Sequence, residues 1–196
     1  MKKAILLLLL SALAVLTACA KGRPAEADLF RTVCPADEGL RMAKASGAAT
    51  VIENSRCTAG GEVWDAFWET VGRGTPASVL CARYHTLDPA HMSEELYEAE
   101  KDLYPQLYFY LLEYDGEGYV VKIRLSTEKE PAEERAFRHL LHFTGKAPPT
   151  AAFSEYDYYV LADDPDVTWE EILAGMVSSQ ASSWIPHCTV YQNLLD

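Results

Sequence analysis

No part of this 196-residue chain is enriched in basic residues: 17 Lys and Arg face 29 Asp and Glu, for a formal net charge of −12. A chain of that sign repels phosphate backbones and anionic headgroups, which argues against nucleic acid as a partner. The chain also lacks a Gly-rich phosphate loop, a Gly-x-Ser-x-Gly nucleophile turn and a His-Glu-x-x-His zinc helix. Its 5 cysteines include no Cys-x-x-Cys pair of the redox or zinc type. No cofactor is implied, and neither an internal repeat nor a low-complexity segment is present. Apolar runs are also short, since none reaches the roughly 18–20 residues that a membrane-spanning helix requires.

What is present begins at the N-terminus. Lys2 and Lys3 precede an apolar run from Ala4 to Leu16 broken only by Ser11, and the run ends in small residues at Leu16-Thr17-Ala18-Cys19. A charged segment, an apolar segment and a small-residue cleavage site are the parts of a secretory signal. The four-residue box resembles the lipobox of bacterial lipoproteins over residues 1–19. That resemblance implies acylation of the Cys19 thiol by a diacylglycerol, cleavage after Ala18, and a mature protein held on the outer side of a bacterial membrane. Two or three acyl chains anchor firmly, at about 0.8 kcal/mol per buried methylene. Loss of Lys2 and Lys3 with the signal takes the net charge to −14.

Residues 1–18 are therefore read as signal peptide and 19–33 as lipidated N-terminus and tether, because 20–33 shows no period. Residues 34–196 are read as one globular domain, long enough to bury a real core. Beyond Cys19, Cys34, Cys57, Cys81 and Cys188 remain in a compartment that permits disulfides. Cys34 with Cys57 is the favoured pair, since both fall in a loop-like region; four free thiols is the alternative.

Within the domain, 48–53 reads as a strand ended by Gly60-Gly61. Val63, Trp64, Phe67, Trp68 and Val71 then share one face of an amphipathic helix, and the two tryptophans are read as packing rather than a carbohydrate platform. A two-face-covered strand at 77–87 follows, and Ser93 caps a second helix carrying Leu96, Ala99 and Leu103. The segments 107–114 and 119–125 flank Asp115-Gly116-Glu117-Gly118 and form a β-hairpin. Further strands are expected at 136–143, 156–162 and 187–194. Thr168 and Glu171 make a capping box for a helix striped with Trp169, Ile172, Leu173, Met176 and Val177. The expected class is α+β, a mostly antiparallel sheet with about three helices packed on one face.

The layout after Glu62 also resembles a group of uncharacterised small lipoproteins of Gram-positive, gut-type bacteria. Trp64-Asp65-Ala66-Phe67, Tyr84-His85-Thr86-Leu87-Asp88 and Phe153-Ser154-Glu155-Tyr156 carry that likeness, which implies no activity.

A thiol enzyme would need Cys81 or Cys188 beside His85, His139, His142 or His187, with a third group to orient the base. His187 and Cys188 are adjacent and point to opposite faces of a strand, as do His139 and His142. Asp163, Asp164 and Asp166 lack the glycine and terminal acid of a calcium loop and read as a turn. Tyr108, Tyr110 and Tyr114 share one strand face and form the candidate interaction surface, although Leu112 on the same face favours a core. The expectation is a non-catalytic, lipid-anchored, extracytoplasmic module that binds an envelope protein or ligand. An envelope enzyme is one alternative. An acidic inhibitor or immunity-type protein, touching its partner through Glu94 to Asp102, is another.

Overall fold

A computed structural model describes residues 24–148 and 151–196. Cys19 and the signal lie outside the described residues. Five α-helices and nine strands are described: α1 Pro24–Arg31, α2 Ala36–Ser46, β1 Ala49–Glu53, β2 Arg56–Ala59, α3 Gly61–Val71, β3 Ala77–His85, α4 Glu94–Glu100, β4 Gln106–Tyr114, β5 Tyr119–Leu125, β6 Glu133–Phe137, β7 His139–Lys146, β8 Glu155–Ala162, α5 Trp169–Val177 and β9 His187–Leu195. Six strands form one sheet in the order β2-β1-β3-β4-β5-β6, and three form a second in the order β7-β8-β9.

The α+β class holds, but the helices number five rather than about three, and they do not share one face of one sheet. The division into two sheets comes from a single break. The stretch 136–143 is two strands, Phe137 closing β6 and His139 opening β7, with the Arg138 amide donating to Asp163 Oδ1 at 3.2 Å where the chain changes sheets. Pairing is antiparallel except for β1 and β3, which run parallel through the α3 crossover. The expected hairpin is present as β4–β5, and Asp115 Oδ1 accepts from the Glu117 and Gly118 amides across its turn.

Alternation along the strands sorts side chains into three cores. Leu80, Ala82, Leu107 and Phe109 face α1 and α2 on the outside of the six-stranded sheet. Its inner face, with Val79, Cys81, Leu112 and Val121, meets α3 and the inner face of the three-stranded sheet through Tyr159, Leu161, Val190 and Tyr191. Val160, Ala162, Val167 and Ile172 form the third core under α5. The layers therefore run helices, sheet, sheet, helix, with α3 beside the inter-sheet core.

Three local features depart from the sequence expectation. The segment read as a tether is helical from Pro24 to Arg31, and its Leu29 and Phe30 are buried against the sheet, which supplies the stabilisation an isolated eight-residue helix lacks. The poorly patterned stretch after Cys34 contains α2, whose end is marked by Gly47 at φ +59. It also contains β2, joined to β1 through Asn54 and Ser55, both at positive φ. At Gly60 (φ +67) a Cβ would stand 2.2 Å from the Ala49 carbonyl oxygen, so the chain enters α3 by a path open only to glycine.

Candidate functional site

The four described cysteines are free thiols. Cys34 and Cys57 do not pair, because the six-stranded sheet separates them: Cys34 adjoins Gly39 and its neighbours Leu107 and Phe109, whereas Cys57 packs on the inter-sheet core. Burial pushes all four thiols above their ordinary pKa of 9.0; Arg83 and Arg135 pull Cys188 the other way without overcoming it. A nucleophilic cysteine requires the opposite shift. Arg135 Nη2, not a histidine, lies 3.6 Å from Cys188 Sγ, and His187 Nδ1 is held 2.7 Å from the Ile185 carbonyl.

Two histidines meet a carboxylate: His91 Nδ1 lies 2.7 Å from Asp88 Oδ2 at an exposed turn, and His142 pairs with Asp157 beside the inter-sheet core. His142 Nε2 lies 2.7 Å from Asp157 Oδ1, and the ring stacks on Tyr159 at 4.1 Å between centroids with Trp68 edge-on at 5.9 Å. The carboxylate orients the imidazole, but among the described residues no serine, threonine or cysteine side chain hydrogen-bonds it, so the pair lacks a nucleophile to activate. Among the described residues no group of three or more His, Cys, Asp or Glu is placed to hold a metal ion. Asp163, Asp164 and Asp166 are exposed in the turn before α5, where Asp164 Oδ1 accepts from the Asp166 amide.

The tyrosine face is the inner face of the six-stranded sheet. Tyr108, Tyr110 and Tyr114 are half-buried, pack on the inter-sheet core and share their side with fully buried Leu112. Arg83 explains why Tyr110 is covered: its guanidinium lies 4.9 Å over the ring and donates to the Thr189 carbonyl at 2.9 Å and to Gln192 Oε1 at 2.5 Å, tying the two sheets together. Trp64 and Phe67 are likewise buried, as expected of packing residues.

The buried acids give the fold an alkaline limit. Burial raises Tyr84, Tyr119 and Tyr159 from 10.0 to about 12, alongside the raised thiols. A group raised in the folded state ionises first in the unfolded chain. Its stabilisation is thus complete below the unfolded pKa and is lost as pH climbs through the folded one. Urea midpoints should hold steady up to about pH 8.5 and fall continuously between about pH 9 and 12; a midpoint flat across that window would contradict the burial of these groups.

Two surface features remain. A cleft of about 530 Å³ beside α1 is lined by Glu26, Phe30, Ser78, Glu113, Lys122 and Lys129. Both of the carboxylates named have partners: Ser78 donates to Glu26 Oε2 at 3.0 Å, and Lys122 Nζ lies 2.7 Å from Glu113 Oε2.

The other feature is the outer layer of the three-stranded sheet, which nine-residue α5 covers incompletely. The capping box forms as expected, with the Thr168 hydroxyl accepting from the Glu171 amide and the Glu171 carboxylate from the Thr168 amide. Yet only Ile172 and Gly175 of the helix are buried; Leu173 is 42%, Met176 52% and Val177 85% exposed. Gly175 fixes the neighbouring loop, since a Cβ there would stand 2.6 Å from the Ser183 carbonyl oxygen, and this close crossing carries Trp184, 51% exposed. Phe143, Tyr156, Tyr158 and Trp169 continue the layer as half-buried rings, Tyr158 and Trp169 being 4.7 Å apart. The stripe of α5 was legible as an apolar face. Its exposure was not, because periodicity reports which residues share a side and not whether anything lies against it.

The fold and surface thus define an α+β domain with an exposed apolar layer and no assembled nucleophile among the described residues. Comparison with protein families, with curated proteins and with solved structures gave no match.

Proposed function

We propose that the chain is a lipid-anchored, extracytoplasmic binding module without catalytic activity, held on a bacterial membrane by acylated Cys19. The observation that carries this reading is Leu16-Thr17-Ala18-Cys19 at the end of a charged and then apolar N-terminal run. No helix of the described residues is long and apolar enough to cross a membrane, so attachment is assigned to the lipid. The first described helix begins at Pro24, five peptide steps beyond Cys19. Fully extended, that stretch reaches no more than about 18 Å. A domain tethered so closely rides against the bilayer and meets partners of the same envelope. The burial-raised thiols support the non-catalytic half of the reading.

Metabolic labelling with an alkyne fatty acid tests the anchor. The native chain should carry label and partition with detergent, whereas Cys19→Ala should lose the label and move to the aqueous phase. Label retained by Cys19→Ala would sink the proposal. Crosslinking on intact cells then asks whether the anchored form holds a partner that the unanchored form does not.

A further inference from the structure

We infer that the outer layer formed by α5 and Trp184 docks a cationic amphipathic helix of a protein partner. This rests on the reading of the chain as a binding module and names the chemistry of what it binds. Leu173 and Val177 stand three and seven residues after Glu170, so all three lie on one side of α5. Glu170 is exposed with them, and Met176 extends the apolar side. The loop that crosses at Gly175 adds Trp184, an aromatic of the kind that anchors interfaces.

Charge selects the occupant. No Lys or Arg follows Lys146, while the last fifty residues hold eight acids, and Asp163, Asp164, Asp166 and Glu170 border the entry to α5. An apolar strip with exposed carboxylates at its N-terminal end complements a helix whose apolar face is flanked by Lys or Arg. A second copy of this chain offers no Lys or Arg after Lys146 to meet these acids.

This surface lies on the side of the molecule opposite α1, the element that follows the proposed anchor. α1 and α5 cover opposite outer faces of the two stacked sheets, and three layer spacings of about 10 Å put roughly 30 Å between them. With α1 tethered within about 18 Å of the lipid, the α5 layer faces away from the α1 side of the molecule. It is available to a protein standing beside or above the domain.

The test uses the full acylated chain in zwitterionic nanodiscs, with empty nanodiscs subtracted. Its probes are an 18-residue Leu–Lys amphipathic peptide and the matching Leu–Glu peptide. The Leu–Lys peptide should bind, and raising the salt should weaken it. Met176→Gln with Val177→Ser, both on exposed side chains, should raise its Kd about tenfold or more with Tm unchanged. The Leu–Glu peptide should not bind. The inference is overturned if no Leu–Lys binding is seen, if the double variant binds equally well, or if both peptides bind alike. Self-association lost in the double variant would assign the face to a second copy and overturn it, as would vesicle binding lost in that variant, which would assign it to lipid.

A photocrosslinker at Val177 or at Tyr97 on intact cells separates the two levels of the reading. A partner captured from Tyr97 alone preserves the binding module and removes this face from it. Capture from neither position removes both, and capture at Val177 supports the face only where the Leu–Lys peptide competes.

Discussion

Replacing Arg124 by leucine is expected to cost the fold about 3–5 kcal/mol, because it strips the partners from a set of buried carbonyls. Arg124 is 1% exposed, although a carboxylate is not its partner. Its Nε donates to the Phe30 carbonyl at 2.6 Å and its Nη2 to the Thr32 carbonyl at 2.8 Å; Nη1 reaches the carbonyls of Leu125, Ser126 and Glu128. One guanidinium thereby closes the C-terminal end of α1 onto the loop after β5, and its Cζ sits 5.3 Å from the Phe109 ring centroid and 5.5 Å from that of Phe30. Lysine should rescue only part of the loss, since a single ammonium cannot span carbonyls on both segments. Hydrogen exchange provides the specific readout. Amides of residues 26–32 should lose protection before those of β4 and β5, and equal loss throughout would mean that Arg124 supports the whole sheet rather than the docking of α1.

Trp64→Ala should be the other large effect, at about 3–5 kcal/mol, lowering Tm by about 10 °C or more. Trp64 is 1% exposed and stacks on Tyr191 at 4.8 Å, meets Tyr159 edge-on at 5.0 Å and touches Phe67 at 5.6 Å. Tyr159 and Tyr191 belong to the second sheet, so this ring joins α3 to a layer more than ninety residues away in sequence. Near-ultraviolet circular dichroism should lose aromatic signal along with stability. A variant that unfolds at the native temperature would show that the two sheets do not depend on this contact.

These two residues illustrate what local patterning conveys. Trp64 was legible as a core residue because Val63, Phe67 and Val71 share its helical face. Arg124 alternates with Val121 and Ile123 along β5, the local pattern of a solvent-facing position; only α1 folding back across that face covers it. The helix α2 was missed although Asp37 and Glu38 in its first turn and Gly47 at its end are the ordinary marks of helix termini. Its apolar side is narrow, formed by Gly39, Leu40 and Ala43, and periodicity is faint where the buried residues are small. The β1–β2 turn was invisible for a different reason: Asn54 and Ser55 both adopt positive φ without a glycine to announce it.

For the site, the sequence carried a stretch, Leu16-Thr17-Ala18-Cys19, that resembles a lipobox, and it singled out three tyrosines. Their half-burial came from a second sheet that the reading did not anticipate. The exposed layer at α5 lay in plain view as an apolar stripe, but it was assigned inward.

What the sequence by itself determined were the short-range features: the amphipathic helix 61–71, the 106–125 hairpin and the capped helix 169–177. Each is settled within a dozen or so neighbouring residues by period, turn chemistry or capping. The tertiary structure alone decided how nine strands divide between two sheets, which side of each strand is covered, and which apolar stripe is left without a neighbour. Those outcomes depend on contacts between segments distant in the chain, where alternation marks two faces but does not say what packs on either.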